Sequence, residues 1–228
     1  EENTVFQDYQ KKFRLASSEQ QSLYEEREAN KGNKEKIKEI DQKIENLTIK
    51  MEALFDEVIE TYPDLFFTKF LKATRRVEVP KTITNKKEQY YYFRNHFFDN
   101  FDISDARLLR TPIYEGTIDM YIDKVVMQHP DTLIFEVDKL IQKSRSDDEL
   151  FRFMMVHLHN KYASSQIMAH ENVYVHLADK YYIPEASWSD PQFISDLKNK
   201  IKNRKKCLIG NKALDIQFRF IPSDSLLI

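Results

Sequence analysis

Glycine occupies only three of the 228 positions, Gly32, Gly116 and Gly210, where an average chain carries roughly 7%. No other sequence feature constrains the fold as much. A hairpin-rich β fold needs positive φ in its tight turns, and glycine supplies most of it. Phosphate-cradling loops and nucleophile elbows need glycines close together. Three isolated glycines suit neither, so the sequence reads as all-α. Charged residues at 32% and hydrophobic residues at 41% fit helices with one buried face and one solvated face.

Composition removes several function classes. A net charge of −2 creates no global field toward nucleic acid or anionic lipid. The one dense basic run, Lys198, Lys200, Lys202, Arg204, Lys205 and Lys206, falls where a helix should end, and cations there complement the helix dipole. Cys207 is the only cysteine, so neither an internal disulfide nor a CxxC pair exists within the chain. It sits beside Lys205 and Lys206, a setting for a reactive thiol, although an idle one is the better reading. No apolar run approaches the roughly 18 residues that a membrane-spanning helix requires. The opening Glu1-Glu2-Asn3 carries no signal-peptide character and reads as the start of a processed or excised segment.

Along the chain, Val5, Phe6, Tyr9, Phe13 and Leu23 form one helical stripe, ended by Asn30-Lys31-Gly32-Asn33. Ile37, Ile40, Ile44, Leu47, Met51, Leu54 and Val58 then alternate in steps of three and four, the seam of a heptad pattern. Two long helices around a short turn predict an antiparallel hairpin over 1–62; a coiled coil with another chain is the alternative. Prolines mark the later helix starts, at Pro63, Pro112 and Pro130, because a first-turn N–H has no intrahelical acceptor to lose. Asn85-x-x-Glu88 and Ser146-x-x-Glu149 resemble capping boxes. The helix after the second is apolar nearly all round and belongs at the centre of a bundle. Residues 172–182 predict a helix, although Val173-Tyr174-Val175 also tolerates a strand. Leu214, Ile216, Phe218 and Phe220 alternate with other residues as in a strand. Nothing repeats at 34 or 40 residues, so a multi-helix bundle is expected, with α-solenoid stacking as the alternative. The expected organisation is a hairpin over 1–62, a bundle over 63–206 packed with it as one domain, and a short strand-like piece over 207–228.

Candidate chemistry is sparse. His157 and His159 point about 200° apart on a helix and cannot share an ion as an i, i+4 pair does. His170 has no histidine or carboxylate at i+3 or i+4, and His176 has Asp179 alone, at i+3, so each reads as a core or surface histidine. No catalytic residue, metal ligand or cofactor is expected. The tract from Tyr90 to Tyr114 combines aromatic residues with arginine, the types that dominate interfaces. Tyr90, Tyr91, Tyr92, Arg107, Arg110 and Tyr114 are its candidate interaction surface, and burial in the core is the competing reading.

Three stretches carry a resemblance to a known family. One is Phe97-Phe98-Asp99-Asn100-Phe101-Asp102 running into Leu108-Leu109-Arg110-Thr111-Pro112. Another is Glu149-Leu150-Phe151-Arg152-Phe153 followed by Val175 to Tyr182 and Ala186-Ser187-Trp188. The last is Leu208-Ile209-Gly210-Asn211-Lys212-Ala213. The chain resembles the uncharacterised helical domain that precedes the thioredoxin-like domain in secreted or envelope-anchored bacterial thiol–disulfide oxidoreductases. Leu214 stands where that pattern has proline, and Ile228 precedes the position of a catalytic cysteine pair. The resemblance implies a non-catalytic accessory domain in the cell envelope or periplasm, partnered by an adjoining thioredoxin-like domain. The alternative is a stand-alone peptide- or glycan-binding protein using the aromatic tract.

Overall fold

The computed structural model describes residues 2–168 and 170–208. The strand pattern expected over 214–220, and the lead-in from residue 209 onward, lie outside the described residues. Among them the chain is all-α, with nine helices and no strand. Contacts group the chain into two compact units that meet in sequence between Thr117 and Ile118. The cut therefore falls inside the stretch 63–206, and the first unit comprises the hairpin and the chain from its end to Thr117.

In the first unit, α1 (Glu2–Ala29) and α2 (Lys34–Thr61) form the expected hairpin. The turn between them uses Asn33, whose side chain accepts the Lys36 amide at 3.2 Å and caps α2, satisfying one orphan donor of the helix start. Gly32 has open space around it. Ile40, Leu47 and Val58 of the heptad seam are buried, while Ile37, Ile44, Met51 and Leu54 are half-buried. One facing helix covers a seam from one side only. α3 (Phe66–Thr74) closes the base of the hairpin, where Tyr9, Val58, Phe67 and Leu71 form a small core. This helix starts at Phe66 rather than at Pro63, which lies in the preceding turn. α4 (Lys86–His96) is capped by Asn85, which accepts the amides of Lys87 and Glu88. A 3-10 turn, Leu108–Arg110, leads to α5 (Ile113–Met120).

The second unit begins within α5, which continues as a π-helical turn over Tyr121–Val125. It then runs through α6 (Pro130–Ser144), α7 (Asp148–Ala163) and α8 (His170–Leu177). α8 extends through a π turn, Ala178–Tyr182, and a short helical end, Ile183–Glu185. α9 (Pro191–Arg204) ends in a 3-10 turn, Lys205–Cys207. Asp147, not Ser146, caps α7 by accepting the Glu149 and Leu150 amides at 2.8 and 3.0 Å. The carboxylate one residue later reaches the same orphan donors. α7 is central as expected, with Leu150, Met154, Met155 and Leu158 buried. Val173, Tyr174 and Val175 are all buried in helix α8, so packing overrides their strand preference. α6 packs on both α7 and α8. A helix that touches its next and next-but-one neighbours is the arrangement of stacked helical repeats.

Candidate functional site

The predicted aromatic and arginine surface does not converge. Tyr114 is fully buried, and its hydroxyl donates to the Ile103 carbonyl at 2.8 Å. Burial also pushes its pKa up. Its place is the core of the first unit, tilted against Phe101. Arg107 folds back on Asp105, donating at 2.9 and 2.6 Å, and covers the Phe66 ring. That guanidinium holds the Asp105 carboxyl below the usual carboxylate range. Arg110 is exposed at the end of its 3-10 turn. Tyr90 and Tyr91 meet edge to face, and Tyr92 stacks on His96. Of the three tyrosines, Tyr91 is exposed (42%). Tyr90 is half-buried, as is Tyr92.

At the base of the hairpin a cleft of about 220 Å³ is lined by residues including Val5, Tyr9, Leu54 and Tyr62. Small-molecule sites run from roughly 300 Å³ upward and combine apolar walls with convergent polar groups. Here Asp8 and Lys12 face each other at 2.8 Å and neutralise one another.

Two ionic clusters in the second unit share one design. In the first, Asp119 Oδ1 on α5 accepts from His157 Nε2 at 2.9 Å and Lys161 Nζ at 3.0 Å, both on α7. Lys161 also donates to Asp123 at 2.8 Å. In the second, Asp138 on α6 accepts from His176 Nε2 at 2.7 Å, Lys180 Nζ at 2.7 Å and the Tyr181 hydroxyl at 2.8 Å, all from α8 and its π turn. Each aspartate binds a histidine 38 residues later and a lysine 42 residues later. Burial alone would disfavour the carboxylates, but the hydrogen bonds from lysine and histidine outweigh it, and both pKa values lie below the ordinary aspartate value.

The sequence carries the signature of this design. Val156-His157-Leu158-His159-Asn160-Lys161-Tyr162 recurs as Val175-His176-Leu177-Ala178-Asp179-Lys180-Tyr181, 19 residues on. Asp119 and Asp138 have the same separation and fall at the histidine register of the two preceding helices. The π turns Tyr121–Val125 and Ala178–Tyr182 also occupy one register of this 19-residue unit. The repeat is one helix long, so a search for two-helix periods of 34 or 40 residues passes over it.

The remaining candidates have structural roles. His159 is buried between Tyr174 and Tyr182, and burial pushes its pKa down. His170 meets the Ser165 hydroxyl at 2.8 Å. The basic run stays exposed apart from half-buried Arg204. Lys200 and Arg204 lie over the Tyr174 ring, Arg204 bonds Glu171, and Lys205 pairs with Asp179. Cys207 is an exposed free thiol.

A family model fits residues 25–207 and describes a domain of unknown function, DUF5106. The chain belongs to the DUF5106 family. The match covers the described helices from late α1 to the 3-10 turn after α9, so the Asp–His–Lys clusters lie within the DUF5106 region. No curated protein and no solved structure matches the chain. Among the described residues no helix is long and apolar enough to cross a membrane.

Proposed function

We propose that this DUF5106 chain is a non-catalytic helical accessory domain of a thioredoxin-like protein of the bacterial cell envelope, serving to position, dimerise or present partners to that neighbour. The observation that carries the reading is where the ionisable groups go. Two ionic clusters in the second unit tie one helix to another, each carboxylate neutralised by a lysine, which leaves neither poised as an acid or base. The likeness of residues 208–213 to the lead-in of a thioredoxin-like strand supports the choice of neighbour.

The test compares the full-length protein with a version lacking residues 1–205. It measures reduction of a protein disulfide and of a small-molecule disulfide. The proposal expects the truncation to slow the first and spare the second. Equal protein-disulfide rates in the two forms would remove the presenting role.

The alternative, peptide or glycan binding through the tract 90–114, is favoured by one observation, the exposed Tyr91 ring with the Lys87 ammonium 6.0 Å from its centroid. Titration of wild type and Tyr91→Ala with oligosaccharides or peptides decides it, since that reading requires binding that the substitution abolishes.

A further inference from the structure

The hairpin shaft is under-packed for its length. α1 and α2 each run for 28 residues, about 42 Å. α1 buries Tyr9 alone, yet in water a helix draws most of its stability from packing an apolar face. Phe13 (39% exposed) and Tyr24 (47%) remain open. They are 11 residues apart, about three turns, and so lie on one stripe. On α2, Ile44 and Met51 of the heptad seam are only half-covered.

Charge along α1 is polar in the same sense. Lys11, Lys12 and Arg14 cluster before its midpoint, and Glu25, Glu26 and Glu28 cluster near its end. Local partners engage Lys12, Glu26 and Glu28, at Asp8, Lys36 and Lys31, but these pairs are solvent-exposed and worth little on their own. An antiparallel neighbour of the same sequence, centred near Ser18 and Glu19, sets Phe13 against Tyr24 of the second copy. It also lays each basic segment over an acidic one. A parallel copy would oppose like charges.

We infer that the hairpin is half of a four-helix bundle, and that the missing half is the hairpin of a second copy of this chain, docked antiparallel through a two-fold axis. Such an isologous contact is self-complementary by construction, and two paired hairpins match a common bundle architecture. A shaft about 42 Å long and about 20 Å across two helices offers roughly 800 Å² per partner, the size of a standard stable interface. The inference concerns the hairpin alone and does not depend on a thioredoxin-like neighbour.

Light scattering and sedimentation velocity on the whole 228-residue chain test it. Wild type is expected to be a dimer that dissociates on dilution, and Phe13→Glu with Tyr24→Glu a monomer of unchanged helicity by circular dichroism. Two charge variants separate docking from folding. Lys11→Glu/Lys12→Glu/Arg14→Glu and Glu25→Lys/Glu26→Lys/Glu28→Lys should each be monomeric alone and should form a heterodimer when mixed. A monomeric wild type would overturn the inference. So would a dimer that persists in the Phe13/Tyr24 variant, or charge variants that stay apart on mixing.

Discussion

The two units spend their hydrophobic residues differently. In the hairpin, seven seam residues on α2 yield three that are buried, and α1 contributes Tyr9. In the second unit, α7 alone buries Leu150, Met154, Met155 and Leu158, because helices lie on several sides of it. A strong local pattern therefore does not guarantee a deep core. What matters is how many neighbours the topology supplies, and a hairpin supplies one. The second unit adds a device the hairpin lacks, ionic ties repeated at a fixed register.

Paired leucine truncations test the contrast most severely. Leu158→Ala removes a fully buried side chain and should cost about 2–5 kcal/mol, enough to unfold a marginal domain. Leu15→Ala removes an exposed one and should stay within about 0.5 kcal/mol. Chemical denaturation of both variants measures the gap, and comparable losses would erase the distinction between the units.

The ionic ties come next. Asp138→Ala strands His176, Lys180 and Tyr181 and should cost about 2 kcal/mol, in the range of charge-assisted hydrogen bonds. Asp119→Ala should cost less, because Lys161 keeps Asp123. A double-mutant cycle between Asp138→Ala and His176→Ala should reveal coupling of about 1 kcal/mol; strict additivity would mean that the pair is ornamental.

Acid should act on the same ties. Both aspartates have folded pKa values below the unfolded value of about 3.9. Their stabilisation is therefore complete above that pH and is lost as the pH falls through the folded values. The double variant Asp119→Asn/Asp138→Asn should flatten the stability profile below about pH 4, and an unchanged slope would assign the acid response elsewhere.

The smallest effect expected is a gain. His159 Nε2 is buried with no hydrogen-bond partner among the described residues, and a buried unpaired group carries a desolvation cost. His159→Phe keeps the ring between Tyr174 and Tyr182 and should be neutral or stabilising by up to about 1 kcal/mol. A thermal melt that drops by several degrees would show that the nitrogen has a role.

Much of the architecture was legible because it is written locally. The turn at Asn30–Asn33, the Asn85 cap, the proline-marked starts of α5 and α6 and the heptad of α2 are all encoded within a few residues of where they act. Asp147 displaced Ser146 at the α7 start because adjacent residues compete for the same amides. The candidate surface was less legible. Residue type marked Tyr114 and Arg107 for an interface, but type does not fix direction, and Tyr114 points into the core while Arg107 folds onto Asp105. The Asp–His–Lys ties were missed for a different reason. A search for partners at i+3 and i+4 stays within one helix, whereas the carboxylates of His157 and His176 belong to helices two steps earlier. The recurrence of Val-His-Leu-x-x-Lys-Tyr was the available signal, hidden by a period half as long as the usual repeat.

A chain that addresses its second-next helix by fixed residues at a fixed spacing can grow without redesign. Copying the four helices α5 to α8 in place would carry two aspartates together with the two His–Lys sets that answer them, so no residue would have to be added. Length differences among members of this family are then expected to come in four-helix blocks of about 76 residues, twice the interval from Asp119 to His157, with the end helices free to diverge. α9 already shows that freedom: where the register calls for histidine and lysine it carries Ser195 and Asn199.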